Sequence, residues 1–380
     1  MKTRKAQFRE TLPKMQEIMK WTEKQDISGL RGFLLTEGSR PLIGVSSGGA
    51  SSPLVYACML YGTYQGLGRA VTPLTFSFLS DATLRNSKIL ILSNSGHGVD
   101  PDYTSRRAFK TNPEWTACLT KPGENNDLMK RAEKEGIQCF TYDWPEYELK
   151  GFVSALSNIA TMALFYKAFT NDDAFCSRLT FGIKPEENYS YHLLGDFNGK
   201  GADASGYESK PFSAYKHYIV LYGGYGEAVA TDIETKFVEC GYASVQACDY
   251  RNFCHGRFIF ESNNFDDTCI VLLRTPRERQ FSEDLIIHGH GIHKDKATGS
   301  YHLLFPEDMP IVTIDTDLDE PLAALDLEMK AQVFFTDAGE SYGYDPFNPN
   351  NPKNIDKRAL RSKPFKGIGK IALNNLDYDR

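Results

Sequence analysis

Apolar residues open the chain at helical spacing. Phe8, Leu12, Met15, Ile18 and Met19 recur every three or four positions, which predicts a helical segment over residues 6–36. The period then changes. PLIGVSS (41–47) reads as a strand, with a glycine turn and a helix after it in GGASSPLVYACMLYGTYQGLG. SKILILS (87–93) reads as a second strong strand, followed by a helix from Asp100 to Lys110. EWTACLT (114–120) and IQCFTYD read as strands flanking a helix in NDLMKRAEKEG, and KGFVSALSNIATMALFYKAF (150–169) reads as a long helix.

The stretch LGDFNGKGADASGYESKPF is rich in Gly, Ser and Asp and reads as a linker, placed at 191–212. The pattern then restarts. HYIVLYGG (217–224) is a strand ending in glycines, with a helix to Cys240. CIVLLRT (269–275) and MPIVTID (309–315) are further strands, and EPLAALDLEMKAQVFFTDAG (320–339) is a helix. The remaining residues are Pro/Asn-rich and basic and read as a tail. Strand–helix alternation on both sides of a linker predicts an α/β protein with two parallel sheets and right-handed crossovers. The restart points to a degenerate internal duplication.

Composition narrows the class. A chain of 380 residues is long enough for two domains with sizeable cores. The net charge of −6, with acids and bases interspersed, argues against a broad nucleic-acid surface. It leaves room for a local cationic pocket. The eight cysteines show no CxxC spacing, as expected of a reduced, cytoplasmic chain. No apolar run of signal-peptide or membrane-spanning length is present, so neither membrane nor secretion is expected.

One junction carries chemistry. The run Ile89-Leu90-Ile91-Leu92 stops at Ser93-Asn94-Ser95-Gly96. In an open α/β sheet, ligands bind beyond the carboxyl ends of the strands. A loop there that opens into a helix offers backbone N–H groups and a positive dipole end, short hydroxyls add donors, and glycine permits close approach. Phosphate binding and a plain serine-capped turn both remain open from the loop alone. It is neither a Walker A nor a dinucleotide-binding glycine pattern.

SNSGHG after an aliphatic strand resembles the S-[QNH]-S-G-x-T loop of the SIS (sugar isomerase) family. KFVECGYASVQACDYRNFCHG (236–256) is similar to the KLKE…KHGP block of the isomerase half of glucosamine-6-phosphate synthase and its deglycase relatives, and PKNIDK (352–357) to their PRNLAK. The resemblance covers about residues 40–360 and implies two tandem three-layer α/β/α, flavodoxin-like SIS domains. These are placed at 37–190 and 213–340, after an N-terminal segment (1–36) and before a tail (341–380) that closes over the active site. It implies that Ser93, Asn94, Ser95, Gly96 and His97 bind the substrate phosphate. Gly48, Gly49, Ser51 and Glu148 are the other substrate-binding positions. Lys236, Glu239, His255 and Lys357 form the catalytic set. The sequence departs from the family at Gly98, where threonine is usual, at Gly49, where a hydroxyl is usual, and at Arg257, where proline is usual.

These residue types suit the chemistry. Lys236 and Glu239 lie three apart on one helix, and a carboxylate beside an ammonium stays ionised and can act as a base. Moving a proton between C1 and C2 of an open-chain sugar needs one base. Opening the ring needs a second group working near neutral pH, a task that suits His255. A lysine on the tail can close over the linear substrate. Solvated helix and surface residues are the plainer reading of each residue alone.

HGHGIH (288–293) reads as a glycine-rich surface loop rather than a metal site. No cofactor and no metal are expected. The expected function is therefore a phosphosugar enzyme acting on a phosphorylated amino sugar or a sugar–amine adduct. Because no glutaminase domain is expected before the first sheet, a deglycase, deaminase or aldose–ketose isomerase is preferred to a synthase. The alternative is a non-catalytic sugar-phosphate-binding regulator. The resemblance further implies a homodimer with shared active sites.

Overall fold

The structure is a computed structural model and describes residues 7–36, 38, 40–145, 153–198, 210–289, 292–294, 297–299, 301–303 and 305–347. These residues form two compact units, one of 14–145 with 154–177 and the other of 7–13, 153 and 178–347. The 6–36 pattern resolves into a 3-10 turn (Phe8–Thr11), α1 (Leu12–Glu23) and α2 (Ser28–Leu35).

The first unit carries β1 (Leu42–Val45), α3 (Ser51–Tyr64), β2 (Gly68–Val71), α4 (Pro73–Ser77), α5 (Asp81–Arg85), β3 (Lys88–Ser93), α6 (Val99–Thr111), β4 (Thr116–Thr120), α7 (Asp127–Glu135), β5 (Gln138–Thr141) and α8 (Leu156–Thr170). Its sheet runs β2-β1-β3-β4-β5, and every neighbouring pair is parallel. Leu42 pairs with both Gly68 and Lys88, so β1 and β3 lie at the centre. Residues of β1 and β4 are buried throughout, which is why these strands read as unbroken apolar runs. One core cluster joins Ile43, Val45, Ile89 and Ile91 to Phe76, Phe109, Leu128 and Ala132.

Lys88, the first residue of β3, is wholly buried. Its ammonium donates to the carbonyls of Phe33 (2.9 Å), Leu34 (3.1 Å) and Thr36 (3.4 Å). Those acceptors end α2, where helical carbonyls lack intrahelical partners and the dipole favours a cation. Burial, and then the neighbouring Arg40, hold this ammonium below its ordinary range.

The second unit carries β6 (Ser190–Leu193), β7 (His217–Tyr222), α9 (Gly226–Glu239), β8 (Ser244–Asp249), α10 (Tyr250–Asn252), α11 (Phe258–Asn263), β9 (Thr268–Arg274), α12 (Pro276–Gly289), β10 (Ile292–Lys294), β11 (Tyr301–Leu303), β12 (Pro310–Asp315) and α13 (Leu322–Ser341). Its main sheet runs β6-β12-β9-β7-β8. Four strands are parallel, and β6 joins the edge of β12 antiparallel, with Leu193 opposite Pro310. This strand lies at the start of the range that reads as linker. Its four residues, SYHL, are too few and too polar to announce it. The HGHGIH stretch also differs from the expected loop: α12 runs to Gly289 and Ile292–Lys294 pairs antiparallel with Tyr301–Leu303. Among the described residues no helix is long and apolar enough to cross a membrane.

Replacing Lys88 by methionine keeps much of the stem but leaves buried carbonyls without a donor. The variant should lose about 1–3 kcal/mol, the cost of leaving a buried polar group unsatisfied, and this is checked by equilibrium unfolding.

Candidate functional site

In the first sheet the chain winds from β1 through α3 to β2 on one side, and β3 lies on the other. The loops leaving the carboxyl ends of β1 and β3 therefore diverge and leave a crevice. Two long helices start there, α3 at Ser51 and α6 at Val99. Neither N-cap residue, Ala50 or Gly98, has a side-chain capping bond. Helix starts of this kind point the positive end of the dipole at the crevice. Asp100 and Asp102 lie in the first turn of α6. Asp102 is neutralised there by Arg106 at 3.1 Å and by Arg131.

The loop that follows β3 is held by its own side chains. The Gly96 amide donates to Ser93 Oγ (3.2 Å) and the His97 amide to Ser95 Oγ (3.4 Å). Thr120 Oγ1 donates to the Ser93 carbonyl (2.6 Å), and the Leu128 amide to the Gly96 carbonyl (3.1 Å). Gly96 has φ 63°, and a Cβ there would lie 1.8 Å from Asn126 Oδ1. Asn126 caps α7 through its Oδ1, so the β3 and β4 loops are locked together. His97 is exposed, and its Nδ1 lies 3.2 Å from Asp127 Oδ2. Gly98, where the family has threonine, has φ 109° and supplies no hydroxyl.

Asn94 Nδ2 donates to Ser157 Oγ (3.2 Å) at the start of α8, and Ser157 bonds Ser154. Asn94 Oδ1 and Ser52 Oγ are buried with no hydrogen-bond partner. A Cβ on Gly49 would touch Asn158 at 3.7 Å, so the β1 loop also approaches α8. Gly48 and Ser95 are exposed, and Gly49, Ser51 and Ser93 are half-buried. The structure thus brings Asn94 and Gly49 to the same end of α8. It adds Ser154, Ser157 and Asn158, which sequence reasoning missed. Their signal was the serine-rich approach SALSN to the long helix.

The second sheet has the corresponding crevice between β7 and β9, and its own carboxylates fill it. The Tyr225 amide donates to Glu320 Oε1 (3.0 Å), and Thr275 donates to Glu278 Oε2 from its hydroxyl. A Cβ on Gly224, at φ 43°, would lie 2.4 Å from Glu320 Oε1. Burial, the largest cause, raises the Glu320 carboxyl above its ordinary range. The Tyr225 amide at the start of α9 is thus already taken by a carboxylate of the protein.

Lys236 and Glu239 both lie in the last turns of α9, but they differ in surroundings. Lys236 is buried among Asp232, Glu328 and Gln332. Glu239 is half-buried at the helix end. His255 is exposed in the π-type turn Phe253–Arg257, where Gly256 has φ 121°. Phe253 anchors this turn by stacking on Phe305 at 6.3 Å. Glu148 and Lys357 lie outside the described residues. Among the described residues no three His, Cys, Asp or Glu side chains are grouped to hold a metal ion.

No family model matches the chain, and no curated protein matches it in sequence. Solved structures do match over nearly the whole length. The C-terminal domain of glucosamine-fructose-6-phosphate aminotransferase from Francisella tularensis is 15% identical, with 91% of this chain and 99% of that one covered and a TM-score of 0.64. Tagatose-6-phosphate ketose/aldose isomerase from Escherichia coli is 17% identical over 91% and 96%, also at 0.64. Glucosamine-6-phosphate deaminase from Thermotoga maritima is 12% identical over 93% and 99%, at 0.62. The fold implied by the resemblance, two α/β units of SIS type, is therefore the fold of this chain.

Gly96→Ala should cost at least the roughly 1–2 kcal/mol of a left-handed backbone, with a further loss from the Asn126 clash. Chemical denaturation measures the total, and an unchanged stability would contradict the interlocked loops.

Proposed function

We propose that the chain is a phosphosugar enzyme that moves a proton between C1 and C2 of a phosphorylated amino sugar or a sugar–amine adduct. The observation that carries this reading is the crevice between β1 and β3. Two uncapped helix starts, a serine loop and the unpartnered hydroxyl of Ser52 lie at its mouth. Such a set suits a phosphate dianion, because N–H and O–H donors can replace its hydration shell. The names of the three similar structures all contain a sugar 6-phosphate, and two of them an amino sugar, which supports the substrate class.

In this reading Ser93, Asn94, Ser95, Gly96 and His97 hold the phosphate, and Gly48, Gly49, Ser51 and Glu148 hold the sugar. His255 takes up and returns the hydroxyl proton as the ring opens. Glu239 removes the proton from one carbon and delivers it to the other. Lys357 closes over the open chain. Ile259 and Phe260, each more than half exposed beside the His255 turn, are covered in this reading by a second copy of the chain. A non-catalytic sugar-phosphate-binding protein is the second reading, and the burial of Lys236 favours it.

Two experiments test the proposal. Ser93→Ala with Ser95→Ala should weaken hexose 6-phosphates by about 1.5–3 kcal/mol per lost charge-assisted bond and leave unphosphorylated sugars unchanged in a thermal-shift titration. Equal loss for both ligand types would remove the phosphate from this loop. Separately, Glu239→Gln and His255→Ala should each abolish solvent-deuterium exchange at C1 and C2. Mixed chains that exchange subunits should recover up to about half of one dimer's activity, because a two-fold heterodimer has one intact shared site. No recovery despite subunit exchange would refute the shared site. Exchange persisting in Glu239→Gln would remove that residue as proton carrier.

A further inference from the structure

Two helices of the second unit face each other with a closed polar cluster between them. Asp232 and Lys236 are one turn apart on α9, and Glu328 and Gln332 are one turn apart on α13. None of the four is more than 3% exposed. Lys236 pairs with Asp232, donates to Gln332 Oε1 at 2.8 Å and lies 3.8 Å from Glu328 Oε1. The Gln332 amide donates to Asp232 Oδ2 (3.0 Å) and to Glu328 Oε1 (2.7 Å). No donor reaches Glu328 Oε2.

The Gln332 amide thus spans the two carboxyl groups, and Lys236 lies against both. With both ionised, two negative charges would face one ammonium in a dry interior, and the uncompensated charge would be costly. With one proton retained the cluster is neutral. The charged groups facing Glu328 from α9 are Asp232 and Lys236. On its own helix, Asp326 and Lys330 are turned to Thr316 and to the Asp315 carbonyl.

We infer that Lys236 is a positioning residue: Glu328 keeps a proton, Lys236 neutralises the charge on Asp232, and the cluster pins the helix that ends at Glu239. The inference deepens the proposed reading, in which Glu239 is the proton carrier, but its first test needs no ligand. Burial, and then Asp232, push the Glu328 carboxyl well above its ordinary range. The folded chain therefore keeps a proton that the unfolded chain has released. Stability falls as pH rises from the ordinary glutamate range towards the folded value.

Equilibrium unfolding of the full chain between pH 5 and pH 9 reads this directly. The unfolding constant of wild type should rise, relative to Glu328→Gln, by about tenfold per pH unit, the slope of one linked proton. Wild type should show the infrared stretch of a protonated carboxyl at pH 8, and Glu328→Gln should lack it. Parallel unfolding curves, or a band unaffected by the substitution, would overturn the proton on Glu328. Lys236→Met alone should be strongly destabilised. Asp232→Asn with Lys236→Met, which removes both charges, should regain stability and the wild-type thermal shift with glucosamine 6-phosphate. A double variant that folds but no longer responds would make Lys236 a ligand-contacting group instead. A wild type that responds to no hexose 6-phosphate would sink the phosphosugar reading and leave the unfolding result standing.

Discussion

A parallel strand can reach its neighbour only by crossing back over the sheet, and the crossover is right-handed. That constraint puts every strand-to-helix loop on one edge of each sheet and points the helix N-termini the same way. Where the winding reverses, at β1 and β3 in one unit and at β7 and β9 in the other, adjacent loops part and leave a crevice. The position of the candidate site therefore follows from connectivity before any side chain is considered. Side chains then decide what each crevice accepts. Hydroxyls and uncapped helix starts line the first, and Glu278 and Glu320 fill the second.

Buried charge is handled by local neutralisation in both units. Lys88 faces the carbonyl end of α2, so its charge is met by dipoles rather than by a carboxylate. Asp326 accepts from Thr180 and Thr316 and pairs with Lys330 at 3.0 Å. These groups tie long helices to strand ends and loops in one geometry. Apolar packing alone would constrain that geometry less, because it is non-directional. An aromatic layer between α9 and α13, with Phe237 stacked on Phe334 at 5.7 Å, packs beside such fixed points.

Much of this was readable from the chain because the central strands are buried on both faces. KILILS and TCIVLLR are continuous apolar runs, and each is a strand within a residue or two of the expected limits. Weakly patterned elements escaped. β6 is a short polar edge strand, and α12 has sparse apolar residues in PRERQFSEDLIIHG. After β3, the abrupt change from aliphatic to hydroxyl residues marks where the strand ends. The partnership of Asn94 with Ser157 spans 63 positions and has no local signature. Lys236 illustrates the limit most plainly. Its spacing to Glu239 is the one the resemblance requires, yet only the opposing helix shows that its ammonium is surrounded.

The interlocking of Gly96 with Asn126 bears on how the loop would receive a ligand. Because the loop already has its shape, held by Ser93, Thr120 and the cap of α7, its backbone has little freedom left to lose. Ordering entropy that a floppy loop would give up on binding was given up when the chain folded. In the proposed reading, an oxyanion arriving there would meet a rigid receptor. Association is then governed by exchange of water for N–H and O–H donors, and selectivity by a shape that does not adapt to the guest.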